Sequence, residues 1–217
     1  MKVALIGGTG FVGSALLDEL LQRGHEVVAL ARDPKKYAPR AGLTVVQADV
    51  QDAQQVRQAV AGCDAVLSGF NAGWGNPDIY ADFMNGSHAI QEGTKAAGIK
   101  RYIVVGGAGS LYAAPGVQIV DTPEFPAAIR DGARAARDLL TELQTQERDL
   151  EWTFLSPPIG FLPGGRGERT GKYRVGKDQP LMNGDQPGSI SAADLAVAVV
   201  DELERPAHVR QRFTIAY

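Results

Sequence analysis

Strand-like and helix-like segments alternate along the chain. Runs of five or six mostly apolar residues, typical of buried parallel strands, lie at 2–6, 26–31, 43–48, 64–69, 101–105, 151–155 and 212–217. Apolar residues at helical spacing lie at 11–23, 52–61, 79–97, 127–146 and 191–204. This alternation predicts an α/β fold, with a doubly wound, mainly parallel sheet and helices on both faces. A length of 217 residues favours a single domain.

One segment, 157–190, departs from this alternation because it is rich in Gly and Pro. It follows the sixth predicted strand, and ligands in doubly wound sheets bind beyond the carboxyl ends of strands. We therefore expect a small irregular insertion on the substrate side of the domain. Ser191-Ala-Ala-Asp194, directly after it, has the pattern of a capping box and predicts the start of the last helix, without a functional role.

Composition excludes several classes of protein. The hydrophobic and charged fractions, 44% and 22%, are those of a globular protein, and a net charge of −3 offers no basic field for nucleic acid or an anionic membrane. No stretch approaches 18 consecutive apolar residues, so we expect a cytoplasmic protein without a membrane span. The lone Cys63 excludes an intramolecular disulfide framework, and His25, His88 and His208 show no ligand spacing, so no metal site is predicted.

A glycine-rich turn joins the first predicted strand to the first predicted helix. Its glycines, in Gly-Gly-Thr-Gly-Phe-Val-Gly, follow the spacing G-x-x-G-x-x-G. In a dinucleotide fingerprint they allow the tight turn, the approach of the pyrophosphate and the close packing of helix on strand, and the helix N–H groups face the anion. A tight turn without a ligand is the alternative. The cofactor-binding residues predicted here are Gly7, Thr9, Gly10, Phe11, Val12 and Gly13.

The end of the second strand indicates which dinucleotide binds. An NAD site places an acid there to accept the ribose 2′-hydroxyl. Here Ala31 is followed by Arg32, and Lys36 lies close behind. Because guanidinium and ammonium groups bind phosphate strongly, these two residues predict a preference for NADP(H) over NAD(H). The alternative is a solvated basic turn in which Asp33 binds the ribose.

Further motifs resemble those of a known family. The segments that carry the resemblance are Gly7–Gly13, Ala31–Pro34, Ala48–Val50, Val104–Ser110 and Trp152–Pro158, with the closing Arg-Phe-Thr-Ile-Ala-Tyr. Together they resemble the atypical short-chain dehydrogenases/reductases, related to the NAD-dependent epimerases/dehydratases. Within that family the chain is most similar to a small NAD(P)-binding subgroup that includes NADH-flavin reductases and biliverdin reductase B. The resemblance spans essentially the whole chain and implies a Rossmann-type domain that binds NAD(P).

The resemblance also implies where the cofactor lies. Asp49 and Val50 would flank the adenine. The adenosine and phosphates would be lined by Ser68, Gly69 and Phe70, and Pro157 and Ile159 would lie near the nicotinamide. Gly106 and Gly107 are the further cofactor contacts, and they occupy the place where standard members carry a serine.

The proton-transfer residues of standard members are not evident. Those members use the serine and a Tyr-x-x-x-Lys pair on the next helix, but the sequence between 113 and 150 has neither Tyr nor Lys. Tyr173 and Lys177 match the motif in a glycine-rich loop, where an ordinary turn is the alternative. Ser110 and Tyr112 could donate hydrogen bonds to a substrate, with loop packing as the alternative. Asn71-Ala72-Gly73 repeats a motif of standard members, or is a chance turn.

A reductase without a tyrosine donor suits planar acceptors such as flavins, quinones or biliverdin, because delocalised charge leaves the proton to water. The predicted function is hydride transfer from NADPH to such an acceptor. One wall of its pocket would come from Phe161, Leu162, Arg166, Arg169 and Tyr173, with the arginines on an anionic group. The alternatives are a non-catalytic NADP(H) sensor and, more weakly, a nucleotide-sugar epimerase or dehydratase. Monomer and homodimer both remain open.

Overall fold

The computed structural model describes residues 1–161 and 167–217. The strands are β1 (Lys2–Ile6), β2 (Glu26–Ala31), β3 (Leu43–Gln47), β4 (Ala65–Ser68), β5 (Arg101–Val105), β6 (Tyr112–Ala114), β7 (Val117–Gln118), β8 (Glu151–Ser156), β9 (Arg174–Gly176), β10 (Met182–Asn183), β11 (Gln186–Pro187) and β12 (Gln211–Ala216). The helices are α1 (Phe11–Gln22), α2 (Ala53–Val60), α3 (Ile79–Ala96), α4 (Arg130–Thr145) and α5 (Ala192–Glu204).

The main sheet has the order β3-β2-β1-β4-β5-β8-β12-β9 in the described residues. All neighbours pair in parallel except β9, which runs antiparallel to β12 at the edge. The order reverses direction between β1 and β4, and this change in winding direction is where doubly wound sheets bind ligands. The predicted doubly wound α/β fold is confirmed.

Apolar residues of each central strand face two separate cores. In β1, Val3 and Leu5 pack on the side of α1 and α5, while Ala4 and Ile6 pack on the side of α2, α3 and α4. This alternation follows from the two-residue period of a strand. Because both faces are covered, the strands are apolar throughout, which is why their runs are continuous in the sequence.

The short elements differ from the sequence predictions. Helix α4 begins at Arg130 rather than 127, because residues Ala127–Ile129 form a 3-10 turn directly after Pro126. The hairpins β6–β7 and β10–β11 and the edge strand β9 were not predicted, since each has only two or three residues and no apolar alternation. No helix of the described residues combines the length and hydropathy of a membrane span.

The predicted capping box at the start of α5 is only half correct. Ser191 caps the helix by accepting a hydrogen bond from the Asp194 N–H at 2.9 Å. The reciprocal bond is missing because the phenol of Tyr217 occupies the Ser191 N–H. Asp194, which is fully buried, instead accepts hydrogen bonds from both N–H and Oγ1 of Thr170, from the N–H of Gly171 and from Tyr217. The carboxylate therefore fastens the segment after β8 to α5.

Candidate cofactor-binding site

The glycine-rich turn after β1 is packed so closely on neighbouring backbone that no Cβ would fit at Gly7 or Gly13. Gly7 has a φ of +78°, which is the left-handed region, and its carbonyl accepts the N–H of Gly10 at 2.9 Å. A Cβ at Gly13 would lie 2.0 Å from the Gly7 oxygen, and one at Gly7 would lie 2.5 Å from the oxygen of Gly69. Gly10 starts α1 without a side-chain cap, so the first N–H groups of the helix are available to an anion.

A cavity of about 610 Å³ opens beside this turn, at the carboxyl ends of β1, β2 and β4. Nine predicted cofactor residues line it: Gly7, Thr9, Gly10, Arg32, Lys36, Asp49, Val50, Gly69 and Phe70. Its volume lies within the usual range for cofactor pockets. A second depression, of about 700 Å³ between α2 and α3, has no glycine turn and is wide open. The first cavity is therefore the candidate site.

The ring of Phe70 has a fixed position in this cavity. It stacks on Phe83 with centroids 5.8 Å apart, and α3 makes room for it at Gly86, where a Cβ would lie 2.6 Å from the Phe70 ring. Phe70 is partly buried against the core and also lines the cavity. This gives the site a rigid apolar surface, suited to a flat ring of a ligand.

Two cations stand beside the cavity. Arg32 and Lys36 are exposed, and neither side chain has an ion pair or hydrogen bond within the described part of the chain. Asp33 also lines the cavity, but its Oδ1 accepts the Lys35 N–H at 3.1 Å and caps the turn at 34–36. The free cations and the engaged acid make this end of the cavity suited to an additional phosphate.

Among the lining residues that were not predicted, five carry polar side chains that the sequence did not propose as ligands: Tyr37, Gln51, Asn71, Asn76 and Asp82. The phenol of Tyr37 covers the glycine turn, because a Cβ at Gly8 would lie 2.5 Å from its oxygen, and burial raises its pKa. Tyr37 and Gln51 directly follow predicted contacts, so adjacency could have found them. Asn71 belongs to a motif that the sequence marked, whereas Asn76 and Asp82 have no distinguishing spacing.

Eight predicted cofactor residues lie outside this cavity lining: Phe11, Val12, Gly13, Ser68, Gly106, Gly107, Pro157 and Ile159. Gly13 acts through packing, as described above. Ser68 is buried, and its hydroxyl accepts the Phe70 N–H at 3.4 Å. The other six are not tested by this lining and stay predictions: Phe11, Val12, Gly106, Gly107, Pro157 and Ile159.

The candidate donor Ser110 has its hydroxyl inside the protein. The side chain is 1% exposed and donates to the Gly107 carbonyl at 2.9 Å, with the Ser156 hydroxyl 3.0 Å away. Since Ser110 has one proton and gives it to Gly107, Ser156 is the donor between the two hydroxyls. Tyr112 is half-buried, and its ring lies 5.8 Å from the guanidinium carbon of Arg212. Neither residue borders the cavity, so their role toward a substrate remains a prediction.

Tyr173 is held away from the candidate site. Its phenol donates to Asp201 at 2.6 Å, nine residues beyond the start of α5 and hence about 14 Å along that helix. Burial and the neighbouring carboxylate raise the pKa of Tyr173 well above its ordinary value. A proton-shuttling tyrosine needs a lowered pKa, so this environment opposes that role.

The prediction that Arg169 contacts an anionic acceptor stays a prediction, and in this structure the side chain has another partner. Both nitrogens Nε and Nη2 donate to the carboxylate of Glu19, at 2.7 and 2.8 Å. Glu19 is 3% exposed and lies about 12 Å along α1 from the glycine turn. Arg169 therefore ties the segment after β8 to α1. Leu162 and Arg166, the other wall residues proposed with it, lie outside the described residues.

The residues present fit a dinucleotide. Glycines whose Cβ atoms would collide with backbone form the turn, helix N–H groups are available, and an aromatic ring and two cations border one cavity. These are the features that a pyrophosphate, an adenine and a ribose phosphate require.

Comparisons with known proteins agree with this geometry. Residues 7–206 match the family described as NAD(P)H-binding. The uncharacterized protein YwnB of Bacillus subtilis is 37% identical over 217 residues, which cover 99% of this chain and 98% of YwnB. A solved structure of a candidate epimerase from Bacteroides thetaiotaomicron is 42% identical with a TM-score of 0.90, over 100% of this chain and 96% of its own. That of a candidate NADH-flavin reductase from Streptococcus pneumoniae is 34% identical with a TM-score of 0.84, over 100% and 99%.

Proposed function

Because the chain belongs to the NAD(P)H-binding family, we propose that it is a reductase that transfers hydride from NADPH to a planar acceptor of the flavin, quinone or biliverdin class. The observation that carries the proposal is the cavity of about 610 Å³ that the glycine turn, Phe70 and two free cations border together. The similarity to a candidate NADH-flavin reductase over the whole chain supports the acceptor class.

Arg32 and Lys36 are the basis for proposing NADPH rather than NADH. Both are exposed, both line the cavity, and neither forms an ion pair with a described residue. A 2′-phosphate would gain two charge-assisted contacts that a 2′-hydroxyl cannot make. Arg32→Ala should raise the Kd for NADPH about tenfold or more and leave that for NADH within about twofold. Lys35→Ala, a neighbouring cation that does not line the cavity, is the matched control.

The proposed chemistry asks little of the protein beyond positioning. When bound, the nicotinamide supplies the hydride. The glycine turn and α1 would hold the pyrophosphate, and Phe70 would offer an apolar contact to a flat ring of the ligand. A conjugated acceptor spreads the negative charge, so water can supply the proton, and proximity accounts for the rate. Within the described residues, neither Ser110 nor Tyr173 brings a free proton donor to the cavity.

The hydrogen bonds of Ser110 and Tyr173 favour one other function, a non-catalytic NADP(H) sensor. Both hydroxyls are engaged inside the protein, as a protein that only binds the nucleotide would allow. Turnover distinguishes the two functions. NADPH oxidation is followed by absorbance with FMN, FAD, menadione and biliverdin, and the panel is repeated with NADH. Acceptor-dependent oxidation that favours NADPH supports the reductase. Tight binding without oxidation across the panel contradicts it and favours the sensor.

Two sequence predictions remain proposals. We keep the cytoplasmic location, which agrees with the buried, unpaired thiol of Cys63. We also keep the proposal that the protein is a monomer or a homodimer. Cell fractionation and light scattering, respectively, test these proposals.

A further inference from the structure

Trp74 is a large aromatic side chain left in solvent. Its exposed fraction is 55%, whereas the other tryptophan, Trp152, is 2% exposed and lies in the core. Trp74 belongs to the loop between β4 and α3, at the edge of the sheet where the cavity opens. An exposed indole offers a ligand a large, flat apolar surface beside a polar N–H group.

The indole packs closely against Gly132 on α4, and we call this contact the indole seat. Gly132, in the first turn of that helix, faces it so closely that a Cβ there would lie 2.8 Å from Cζ3 of Trp74 and 2.9 Å from Cδ1 of Ile79. Any residue other than glycine at 132 would push the ring away. One edge of the indole is therefore packed on bare backbone, and the remainder is presented outward.

Hydrogen bonds within the loop that carries Trp74 fix its conformation. The Asn71 carboxamide oxygen accepts the Gly73 N–H at 2.7 Å, and the Asn76 N–H donates to the Gly73 carbonyl at 2.9 Å. The Asn76 carboxamide also donates to Asp82 at 2.7 Å. These bonds fix the backbone on both sides of Trp74, so the ring is held in place without a ligand.

This loop is continuous with the candidate site. Asn71, Ala72 and Asn76, on either side of Trp74, line the cavity. Two further exposed apolar side chains adjoin the indole seat in the sequence: Tyr80, next to Ile79, is 41% exposed, and Ile129, three residues before Gly132, is 39% exposed. The loop after β4 thus joins the cavity to the start of α4. There the Cβ of Ala133 would lie 3.3 Å from a Cβ at Gly109, in the turn after β5 where Gly106 and Gly107 are predicted cofactor contacts.

We propose that Trp74 is a specificity-determining residue, a platform on which the planar ring of the acceptor stacks as it meets the cofactor. The inference rests on the proposed function, since it assigns the acceptor to the apolar side of the same site. Stacking of two conjugated rings contributes affinity beyond burial of area and selects flat molecules over bulky ones. Stacking on Trp74 does not require a charged acceptor, so both flavins and quinones could bind in this way.

Fluorescence tests the proposal without turnover, because the chain has two tryptophans and one is in the core. Acrylamide quenching of the wild type reports Trp74, and the Trp74→Phe variant gives the core background. With NADP⁺ present, FMN or menadione should lower the quenching constant at least twofold, whereas NADP⁺ alone should not. Unchanged quenching with every acceptor overturns the proposal. A quenching constant that falls with rising protein concentration, and not with added acceptor, also overturns the proposal. That result would show that a second copy of the protein covers the indole.

Kinetics separates this inference from the proposed function. Trp74→Leu removes the aromatic ring but keeps an apolar side chain, and should raise the acceptor KM about three- to tenfold with the NADPH KM unchanged. Trp74→Phe keeps a ring and should stay within about twofold of the wild type. If Trp74→Leu matches the wild type, the platform is wrong and the reductase stands. If the wild type turns over no acceptor, the reductase fails, and the quenching assay still decides whether Trp74 binds planar rings.

Discussion

Gly106 lies against the ring of Phe154 with no space between them: a Cβ at position 106 would be 1.9 Å from the ring Cζ. Phe154 is fully buried on β8, in the core beneath α2, α3 and α4. The Gly106 N–H donates to the carbonyl of Leu155 at 2.9 Å, which holds the two strands in this register. At the place where standard members carry a serine, a side chain would therefore collide with the core.

Gly106→Ser should destabilise the protein by about 1–3 kcal/mol, because the new side chain must displace a buried ring. Gly107→Ser is the matched control. Its φ is −130°, which is ordinary extended backbone, and a Cβ there would lie 3.6 Å from Ala136, an ordinary contact. Urea denaturation compares the two midpoints. Equal losses of stability in the two variants would show that contact with Phe154 is not the reason why position 106 requires glycine.

Tyr173→Phe should leave kcat within about twofold of the wild type. The phenol is bonded to Asp201 on α5, and its raised pKa keeps it protonated throughout the neutral range. Removing a hydroxyl that holds structure affects stability by about 1 kcal/mol rather than the rate. The measurement is kcat for NADPH oxidation between pH 6 and about pH 9, alongside Lys177→Ala. A rate loss of a hundredfold or more in both variants would restore the Tyr-x-x-x-Lys pair as catalytic.

Asp194→Asn should destabilise the protein by about 2–4 kcal/mol at neutral pH, because the carboxylate accepts four hydrogen bonds in a fully buried position. Burial alone would raise the pKa of Asp194, but the hydrogen bonds from Thr170, Gly171 and Tyr217 outweigh it and hold the pKa below its ordinary value. A group with a lowered folded-state pKa contributes stability above its unfolded value and loses it as the pH falls.

The difference in unfolding free energy between wild type and Asp194→Asn should therefore be constant above about pH 6 and shrink below about pH 4. Tyr217→Phe removes one of the four donors and serves as the graded control, with an expected loss of about 1 kcal/mol. A difference that stays the same down to pH 3, roughly one unit below the ordinary value, would show that the charge of Asp194 is not what stabilises the segment.

Arg169→Ala should leave the ratio of the KM values for FMN and riboflavin unchanged, because the guanidinium is bound to Glu19 and faces α1. Riboflavin lacks the phosphate of FMN, so this ratio isolates any contact with the anion. The Arg169 side chain is 40% exposed, and we expect a stability loss of roughly 0–1 kcal/mol. A selective rise in the FMN KM would return Arg169 to the acceptor site.

The large elements could be predicted because local pattern and burial agree in them. Continuous apolar runs identified β1, β4 and β5, and the glycine spacing located the turn before α1, where backbone contacts exclude other residues. The predicted resemblance to an NAD(P)-binding reductase family is confirmed by the match over residues 7–206. Of the nine predicted residues that line the cavity, five followed from these local signals, and four followed from the resemblance: Asp49, Val50, Gly69 and Phe70.

The rest depended on contacts that join distant residues. Asn76 and Asp82 reach the cavity through the fold of one loop, and the roles of Glu19 and Asp194 as anchors arise because α1 and α5 both face the segment after β8. An acid in the third position after a serine predicts a capping box in any chain. Only the three-dimensional structure shows that Tyr217 takes the N–H that this acid would have bound.

Strand β9 has a consequence for the molecule as a whole. A parallel sheet that ended at β12 would leave a row of unpaired N–H and C=O groups beside the apolar residues Phe213 and Ile215, a surface on which another chain could add a strand. The antiparallel pairing of Val175 with Ile215 occupies that row. The segment after β8 thus covers this edge of the sheet with a strand of only three residues, and deleting that strand would leave the β12 row open to pairing with another chain.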